Sequence, residues 1–412
     1  MTPPAAPLAR FGALSCTYFA AMGLFAPYAP LWFQSLGMST LAIGSIASLQ
    51  SWTRVFTPYA WGWLGDHGGR RVELIRIAAA GAFLSALGLL GVRAAAPVAV
   101  VTMLLFVANG GVVPLSEAAL AHWLNTRQGL DSARYGRVRV WGSIGFISAV
   151  ATCGALLEWW SIAAFPVMVA VLNGLLLLAS LRLPRQHEAE RQGEEAAPPV
   201  LVVLRRPAVA WFFASIFFTV LAHMALYGFF SLYLVQLGYS KGTVGALWAV
   251  GVAAEIVFFW QQGRWFRRLN SERWLQWAAG ATVLRFATVA AFAAQPVLLV
   301  LAQLSHALTF AAHHAACIDL VHRHFPGRLR GRGQALYTIL GYGISGVLGG
   351  VGGGWLIDNL GYPAAFWGAA LTALVALACA LRAQQAAGVN PQSPRGPVAP
   401  SEGPGGENAR RA

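Results

Sequence analysis

Charge is what this chain has least of. Asp, Glu, Lys and Arg make up 11% of its 412 residues, while 57% are hydrophobic. A soluble fold of this length needs about a quarter of its residues charged to coat its surface, so a soluble globular protein is excluded. Acid is scarcer than base: 15 Asp and Glu stand against 29 Lys and Arg, a net charge of +14. That excess lies in short loops between apolar runs. No basic face with interleaved aromatics exists to track a phosphate backbone, which excludes a nucleic-acid partner. Cysteine is limited to Cys16, Cys153, Cys317 and Cys379, all in apolar segments and without a C-x-x-C pair, so free thiols are expected and no disulfide framework. No G-x-x-x-x-G-K-[ST] loop is present, and ATP-driven pumping is not supported. A single Arg10 precedes the first apolar run and no clear small-residue cleavage site follows, so the N-terminus reads as a first span rather than a signal peptide.

What the chain does have is apolar runs of about 20 residues, each long enough to span a bilayer. The pattern predicts an all-α membrane protein with twelve spans. They are 11–35, 40–64, 77–92, 97–123, 140–157, 160–181, 208–236, 242–260, 274–294, 296–320, 335–357 and 362–381. With both termini placed inside, cytoplasmic loops and tails hold 25 of the 29 Lys and Arg residues; Arg93 and Lys241 fall outside, Arg54 and Arg285 within spans. That bias fixes the orientation, and a multi-pass protein of the inner (plasma) membrane is expected. Residues 1–10 form a cytoplasmic N-terminus, 11–183 and 208–383 two six-helix halves, and 184–207 a charged linker with a partly helical character. Residues 384–412, rich in Pro, Gly and Ser, make a disordered tail.

An internal repeat supports the two halves. Leu36-Gly37-x-Ser39-x-x-x-Ile43-Gly44 recurs 201 residues later as Leu237-Gly238-x-Ser240-x-x-x-Val244-Gly245. The same offset carries Gly62 onto Gly263, Gly142 onto Gly343, Gly145 onto Gly346 and Arg54 onto Glu255. A duplicated six-helix unit follows.

Between the second and third spans lies Gly62-Trp-Leu-Gly-Asp66-His67-Gly-Gly69-Arg70-Arg71. Gly62 permits a close helix approach, and Gly69 suits a tight reversal. Asp66 can meet a helix N-terminus or an arginine, and Arg70 and Arg71 hold the loop inside. This resembles motif A of the major facilitator superfamily, G-x-L-x-D-[RK]-x-G-[RK]-[RK], with His67 where a cation is usual. The counterpart at Gly263 continues with Arg267 in place of the acid. The Asp66 loop is therefore expected to act as an asymmetric conformational gate, latching the second span against the eleventh on the cytoplasmic side in the outward-facing state.

Ionisable groups inside spans cost roughly 2.5–3.5 kcal/mol each on insertion scales, so they face a cavity or a partner. Arg54, Glu117, His223, Glu255, Arg285, His306, His313 and His314 qualify. At about 1.5 Å per residue, Arg285 and His306 fall near the midplane, Arg54 and Glu255 to its cytoplasmic side. Glu117 and Arg139 lie near the cytoplasmic ends of adjoining spans, where they can pair. A carboxylate beside an arginine titrates low, and drawing the arginine away raises it, which is the physics a proton-coupled carrier uses. Glu255, Arg285, His306 and Glu117 are the candidate coupling residues. His306, Thr309 and His313 share a helical face at i, i+3 and i+7. His313-His314 and His322-x-His324 also raise a membrane metalloenzyme, but no second set of ligands accompanies them, and neither metal nor cofactor is expected.

Tyr18, Phe25 and Trp32 recur every seven residues along the first span, with Tyr28 near the same face; Tyr227 follows His223 by one turn, and Trp248 precedes Glu255 by two. These can stack on an aromatic solute or simply pack. Pro114-Leu115-Ser116-Glu117 and Tyr135-Gly136-Arg137-Val138-Arg139-Val140-Trp141-Gly142-Ser143 narrow the likeness to the 3-phenylpropionic acid transporter family, near the lactose permease and nucleoside symporter branch. Ala254-Glu255, Arg285 and His306 fit the same resemblance. It implies Arg139 and Glu117 as a sugar-permease-like pair, but where lactose permease has an acid three residues after the histidine this chain has Thr309, so Glu255 or Glu117 must carry any proton.

The expectation is a non-enzymatic secondary transporter, a proton symporter of a small organic solute. The resemblance points to an aromatic carboxylate such as 3-phenylpropionate, carried by alternating access in a monomer. Arg54, Arg139, Tyr28, Trp32, Tyr227 and Trp248 are the candidate substrate contacts. A nucleoside or sugar symporter and a drug efflux antiporter are the alternatives.

Overall fold

A computed structural model of the chain describes residues 5–68, 70–126, 129–130, 132–184, 200–266 and 268–388. Within them twelve long helical segments follow one another: α1 (Ala5–Ser35), α2 (Thr40–Gly68), α3 (Arg71–Gly88), α4 (Ala95–Asn109 and Val112–Leu124), α5 (Ser132–Trp160), α6 (Phe165–Leu181), α7 (Pro207–Gln236), α8 (Lys241–Trp265), α9 (Ser271–Phe292), α10 (Pro296–Leu304, Ala307–Ala312 and His313–His324), α11 (Arg330–Leu336, Tyr337–Ile344 and Ser345–Leu360) and α12 (Tyr362–Gly388). Ten are long and apolar enough to cross a membrane. The other two are α2 and α3, the latter with Arg71, Glu73 and Arg76 in its 18 residues. Helix is the form such segments must take, because it satisfies every backbone group within the segment where no water can.

Several boundaries move outward from the hydropathy reading. The fifth helix starts at Ser132, so the Tyr135–Arg139 stretch is already helical. The eleventh starts at Arg330, and the twelfth runs to Gly388, past the expected start of the tail. Polar residues can extend a helix beyond the bilayer, and hydropathy does not see them. In the linker, Val200–Leu204 is a short helix; 185–199 and 389–412 lie outside the described residues. A two-residue antiparallel ladder, Asn125–Thr126 with Gly129–Leu130, joins α4 to α5. The four cysteines are free.

The repeat has a physical basis at the helix ends. Gly37 and Gly238 both adopt positive φ, 80° and 89°, just after α1 and α7, a conformation that glycine takes without the Cβ penalty. Beyond each, the next helix is capped from across the molecule. The Asp358 carboxylate at the end of α11 accepts from the backbone N–H of Thr40 (3.1 Å) and Leu41 (2.9 Å) at the start of α2. Likewise the Glu158 carboxylate at the end of α5 accepts from Lys241 N (2.7 Å) at the start of α8, with its ammonium 3.6 Å away. Each carboxylate thus meets the positive end of a helix dipole from the other set of six segments.

Backbones come very close along the same two seams. A Cβ on Gly44 of α2 would lie 2.0 Å from Gly350 O of α11, and one on Gly354 2.5 Å from Thr40 O. A Cβ on Gly245 of α8 would lie 2.4 Å from Val150 O of α5. The α2–α11 approach continues to Gly343 against Val55. This end of the molecule is sealed. Toward the other end Tyr59, Trp63 and Trp260 are exposed, and Cβ atoms on Gly62 and Gly263 would meet nothing within 4 Å.

Candidate functional site

A cavity of about 630 Å³ lies between the two sets of six segments. Arg54 on α2, Arg139 on α5, Tyr227 on α7, Trp248 and Glu255 on α8, Arg285 on α9, and Gln303 and His306 on α10 all border it. Seven of the ten expected coupling and substrate residues, His306 among them, are therefore brought to one space.

Arg285 is the best held of them. Its side chain is 2% exposed, and Nη1 donates to His306 Nδ1 (2.9 Å) and Thr309 Oγ1 (3.0 Å), while Nη2 donates to Gln303 Oε1 (2.8 Å). Arginine has no acceptor, so His306 Nδ1 must offer a lone pair and the imidazole is the neutral tautomer with its hydrogen on Nε2. That Nε2 faces Glu255 Oε2 at 3.7 Å. Arg285, His306 and Glu255 form a line from α9 through α10 to α8. The His306 ring also stacks on Phe310, centroids 5.0 Å apart.

Directly after His306, between two of the three residues of α10 that Arg285 reaches, begins a π-helical turn, Ala307–Ala312. The wider turn shifts the side-chain register. Thr309 joins His306 at Arg285, as the i, i+3 spacing expects, but His313 leaves the expected common face: it is buried, with Nε2 3.5 Å from Cys317 Sγ. A second π-turn, Tyr337–Ile344, carries Tyr342 to the cavity wall. His314 Nδ1 and the Tyr337 hydroxyl are 2.9 Å apart, and that hydroxyl is 3.2 Å from Tyr342's.

The opposite wall is differently made. Arg54 and Arg139 are both exposed, and the Arg139 guanidinium sits 4.4 Å over the Phe19 ring. Glu117 is not on the main cavity. It borders a small adjoining space of about 30 Å³ with Tyr135 and Arg139, where the Tyr135 hydroxyl donates to its carboxylate. The expected neighbourhood of Glu117 and Arg139 is thus present.

Two aromatic expectations need correction. Tyr28 and Trp32 do not border the cavity. Tyr28 is fully buried and donates to Val150 O (2.7 Å), a bond that ties α1 to α5 at the sealed end. Trp32, 2% exposed, stacks on Phe165 with centroids 5.5 Å apart. A heptad stripe tells which face of α1 is apolar but not which neighbour covers each turn. Tyr18 and Phe25 do border the cavity. So do Tyr227 and Trp248, stacked at 6.3 Å, with Trp248 Nε1 donating to Ser231 Oγ (3.1 Å). His223 is buried against Phe286, away from the cavity lining.

At the expected gate, a Cβ on Gly62 would meet nothing within 4 Å, so no helix approaches closely there in this conformation. The close contact is at Gly65, where a Cβ would lie 2.7 Å from Leu115 Cδ2. Arg70 lies 3.8 Å from Glu73, both exposed, and Arg71 opens α3. Gly69 and the Asp66 side chain lie outside the described residues.

Gln303 was missed by sequence reasoning that tallied only ionisable groups. Its signal is an uncharged amide one turn before His306 in an apolar run.

Residues 12–367 match the model of the MFS_1 like family. The chain is 29% identical over 367 residues to the "Probable 3-phenylpropionic acid transporter" of Escherichia coli, covering 88% of this chain and 94% of the other. It is 26% identical over 359 residues to the maltose permease of Geobacillus stearothermophilus, covering 83% and 85%. Its fold is similar to the crystal structure of the nucleoside transporter NupG, with a TM-score of 0.78 at 17% identity over 92% of this chain and 99% of that one. A peptide transporter POT complexed with alafosfalin gives 0.70 at 12% identity, over 92% and 94%. A polytopic helical protein with a cavity between two sets of six segments, and with transporters for relatives, is a secondary transporter; the chain belongs to the MFS_1-like family of the major facilitator superfamily.

Proposed function

We propose that the chain is a proton-coupled symporter of a small organic anion, an aromatic carboxylate of the 3-phenylpropionate type. The observation that carries this reading is the charge inventory of the cavity: among the described residues, Arg54, Arg139 and Arg285 border it against the one carboxylate of Glu255, with Glu117 set aside beside Arg139. A carboxylate solute supplies the missing negative charge through charge-assisted hydrogen bonds. The same arginine excess favours an anion over a nucleoside or sugar. Tyr227, Trp248 and Phe25 offer ring faces for the apolar part of such a solute.

Coupling follows from the line Arg285–His306–Glu255. A carboxylate arriving at Arg285 offsets the positive field that Glu255 feels, so Glu255 holds a proton more readily. By linkage, a proton on Glu255 strengthens anion binding by the same factor. Solute and proton therefore travel together.

In this reading the sealed end is the non-cytoplasmic face, both termini are cytoplasmic, and the conformation faces inward. The halves 11–183 and 208–383 rock about the cavity in a monomer in the inner membrane. Opening the sealed end requires Asp358 and Glu158 to leave the helix starts that they cap. Asp66 latches α2 against α11 when that end is open.

The test is a pH electrode in a weakly buffered suspension of proteoliposomes. Adding 3-phenylpropionate should alkalinise the medium at the rate of solute uptake. Uptake without alkalinisation would sink the symport reading.

A further inference from the structure

Arg285 is buried with an uncommon set of partners. Its three acceptors are an imidazole nitrogen, a hydroxyl oxygen and an amide carbonyl, and none carries charge. Among the described residues no carboxylate lies within 4.0 Å of the guanidinium; Glu255 meets His306 instead. A buried arginine is ordinarily paired with a carboxylate, because taking a lone charge out of water costs several kcal/mol. Here the hydrogen bonds fix the group's position while its charge is left standing. Three of the five N–H donors are used, and Nε is buried without a partner.

Gln303 is central to that arrangement. It is 3% exposed, borders the cavity, and turns its Oε1 to Nη2 at 2.8 Å. It has room to do so because α8 has Gly251 opposite; a Cβ there would lie 3.3 Å from Gln303 Oε1. A glutamate has nearly the same shape and would make the same bond more strongly, yet it would cancel the charge. The amide therefore holds the guanidinium without neutralising it.

We infer that Gln303 is a specificity-determining residue: its neutral carbonyl leaves the Arg285 charge uncompensated and so selects an anionic solute over a neutral one of the same shape. The inference rests on the organic-anion reading and adds the residue that sets the charge class. Thr309, accepting at Nη1, shares the role from the other side of the guanidinium. The carboxylate brought by the solute completes the pair that the protein leaves unmade.

The experiment measures binding of 3-phenylpropionate and its neutral isostere 3-phenylpropionamide to purified protein, with thermal unfolding as a check on folding. The wild type should prefer the acid by tenfold or more. Gln303→Glu should lose that preference through at least a tenfold loss for the acid, with amide binding kept. Gln303→Leu, which removes the acceptor but adds no charge, should keep the preference even if both ligands bind more weakly. Should Gln303→Glu not fold, Thr309→Asp places the carboxylate at Nη1 and should abolish the preference equally. Gln303→Glu or Thr309→Asp binding with the wild-type ratio would overturn the inference, as would Gln303→Leu losing the preference as fully as Gln303→Glu. A wild type that binds acid and amide alike would instead remove the organic-anion reading itself, and this inference with it.

Discussion

The two walls of the cavity carry positive charge in opposite ways. On the wall of α2 and α5, Arg54 and Arg139 are exposed, one of them resting on the Phe19 ring. On the wall of α9 and α10, Arg285 is sealed in and aimed by three neutral acceptors. An exposed arginine keeps its hydration and its freedom; it can attract an anion from water, but each contact it makes is weak. A buried one has already lost its water, so a carboxylate that reaches it meets a preorganised, poorly screened charge. On the proposed function, the first wall collects the solute and the second binds and couples it.

Substitutions can break that contrast. The largest effect should come from Arg285→Lys: a lysine cannot serve His306, Thr309 and Gln303 together, and losing a buried hydrogen-bonded charge partner costs about 2–5 kcal/mol. Solute affinity should fall by about a hundredfold or more. Arg54→Gln, on the exposed wall, should weaken it by no more than about tenfold, an effect that shrinks further in high salt. Equal losses from the two would erase the distinction. The aromatics sharpen it next. Trp248→Ala should raise the apparent Kd for a ring-bearing acid by about tenfold, the value of one lost stacking surface. Trp32→Ala removes a ring that packs on Phe165 and should lower thermal stability, by about 3–5 kcal/mol at most, while leaving the Kd near that of the wild type. A Trp32→Ala protein with a selectively raised Kd would return Trp32 to the binding site.

The sealed end offers the smallest effect on binding and the clearest on conformation. A side chain at Gly44 must displace backbone, since its Cβ would overlap Gly350 O. Gly44→Leu should hold α2 and α11 apart. Cys153, 5% exposed near the same end, should then react with a maleimide that barely labels the wild type in a Cys16→Ser background. Unchanged labelling would show that this seam does not open.

The fold was legible because twelve apolar runs and a 201-residue offset are strong signals, and Gly37 and Gly238 give that offset a conformational cause. The candidate site was legible where membrane cost singles a residue out: Arg54, Glu255, Arg285 and His306 all border one cavity. It was not legible where geometry departs from the regular helix. The π-turn after His306 separates His313 from Thr309, and no 3.6-residue period anticipates it. Nor does periodicity distinguish a cavity-facing aromatic from a packed one, as Tyr28 and Trp32 show. Gln303 went unnoticed because a neutral amide carries little membrane cost, although it holds the Arg285 guanidinium.

Proton coupling at Glu255 is the central claim, and accumulation against counterflow tests it most directly. In proteoliposomes with an inward proton gradient, wild-type protein should concentrate 3-phenylpropionate above the external level. Glu255→Gln, permanently neutral, should exchange internal for external solute at a comparable rate yet accumulate none. Gradient-driven accumulation by Glu255→Gln would contradict the account.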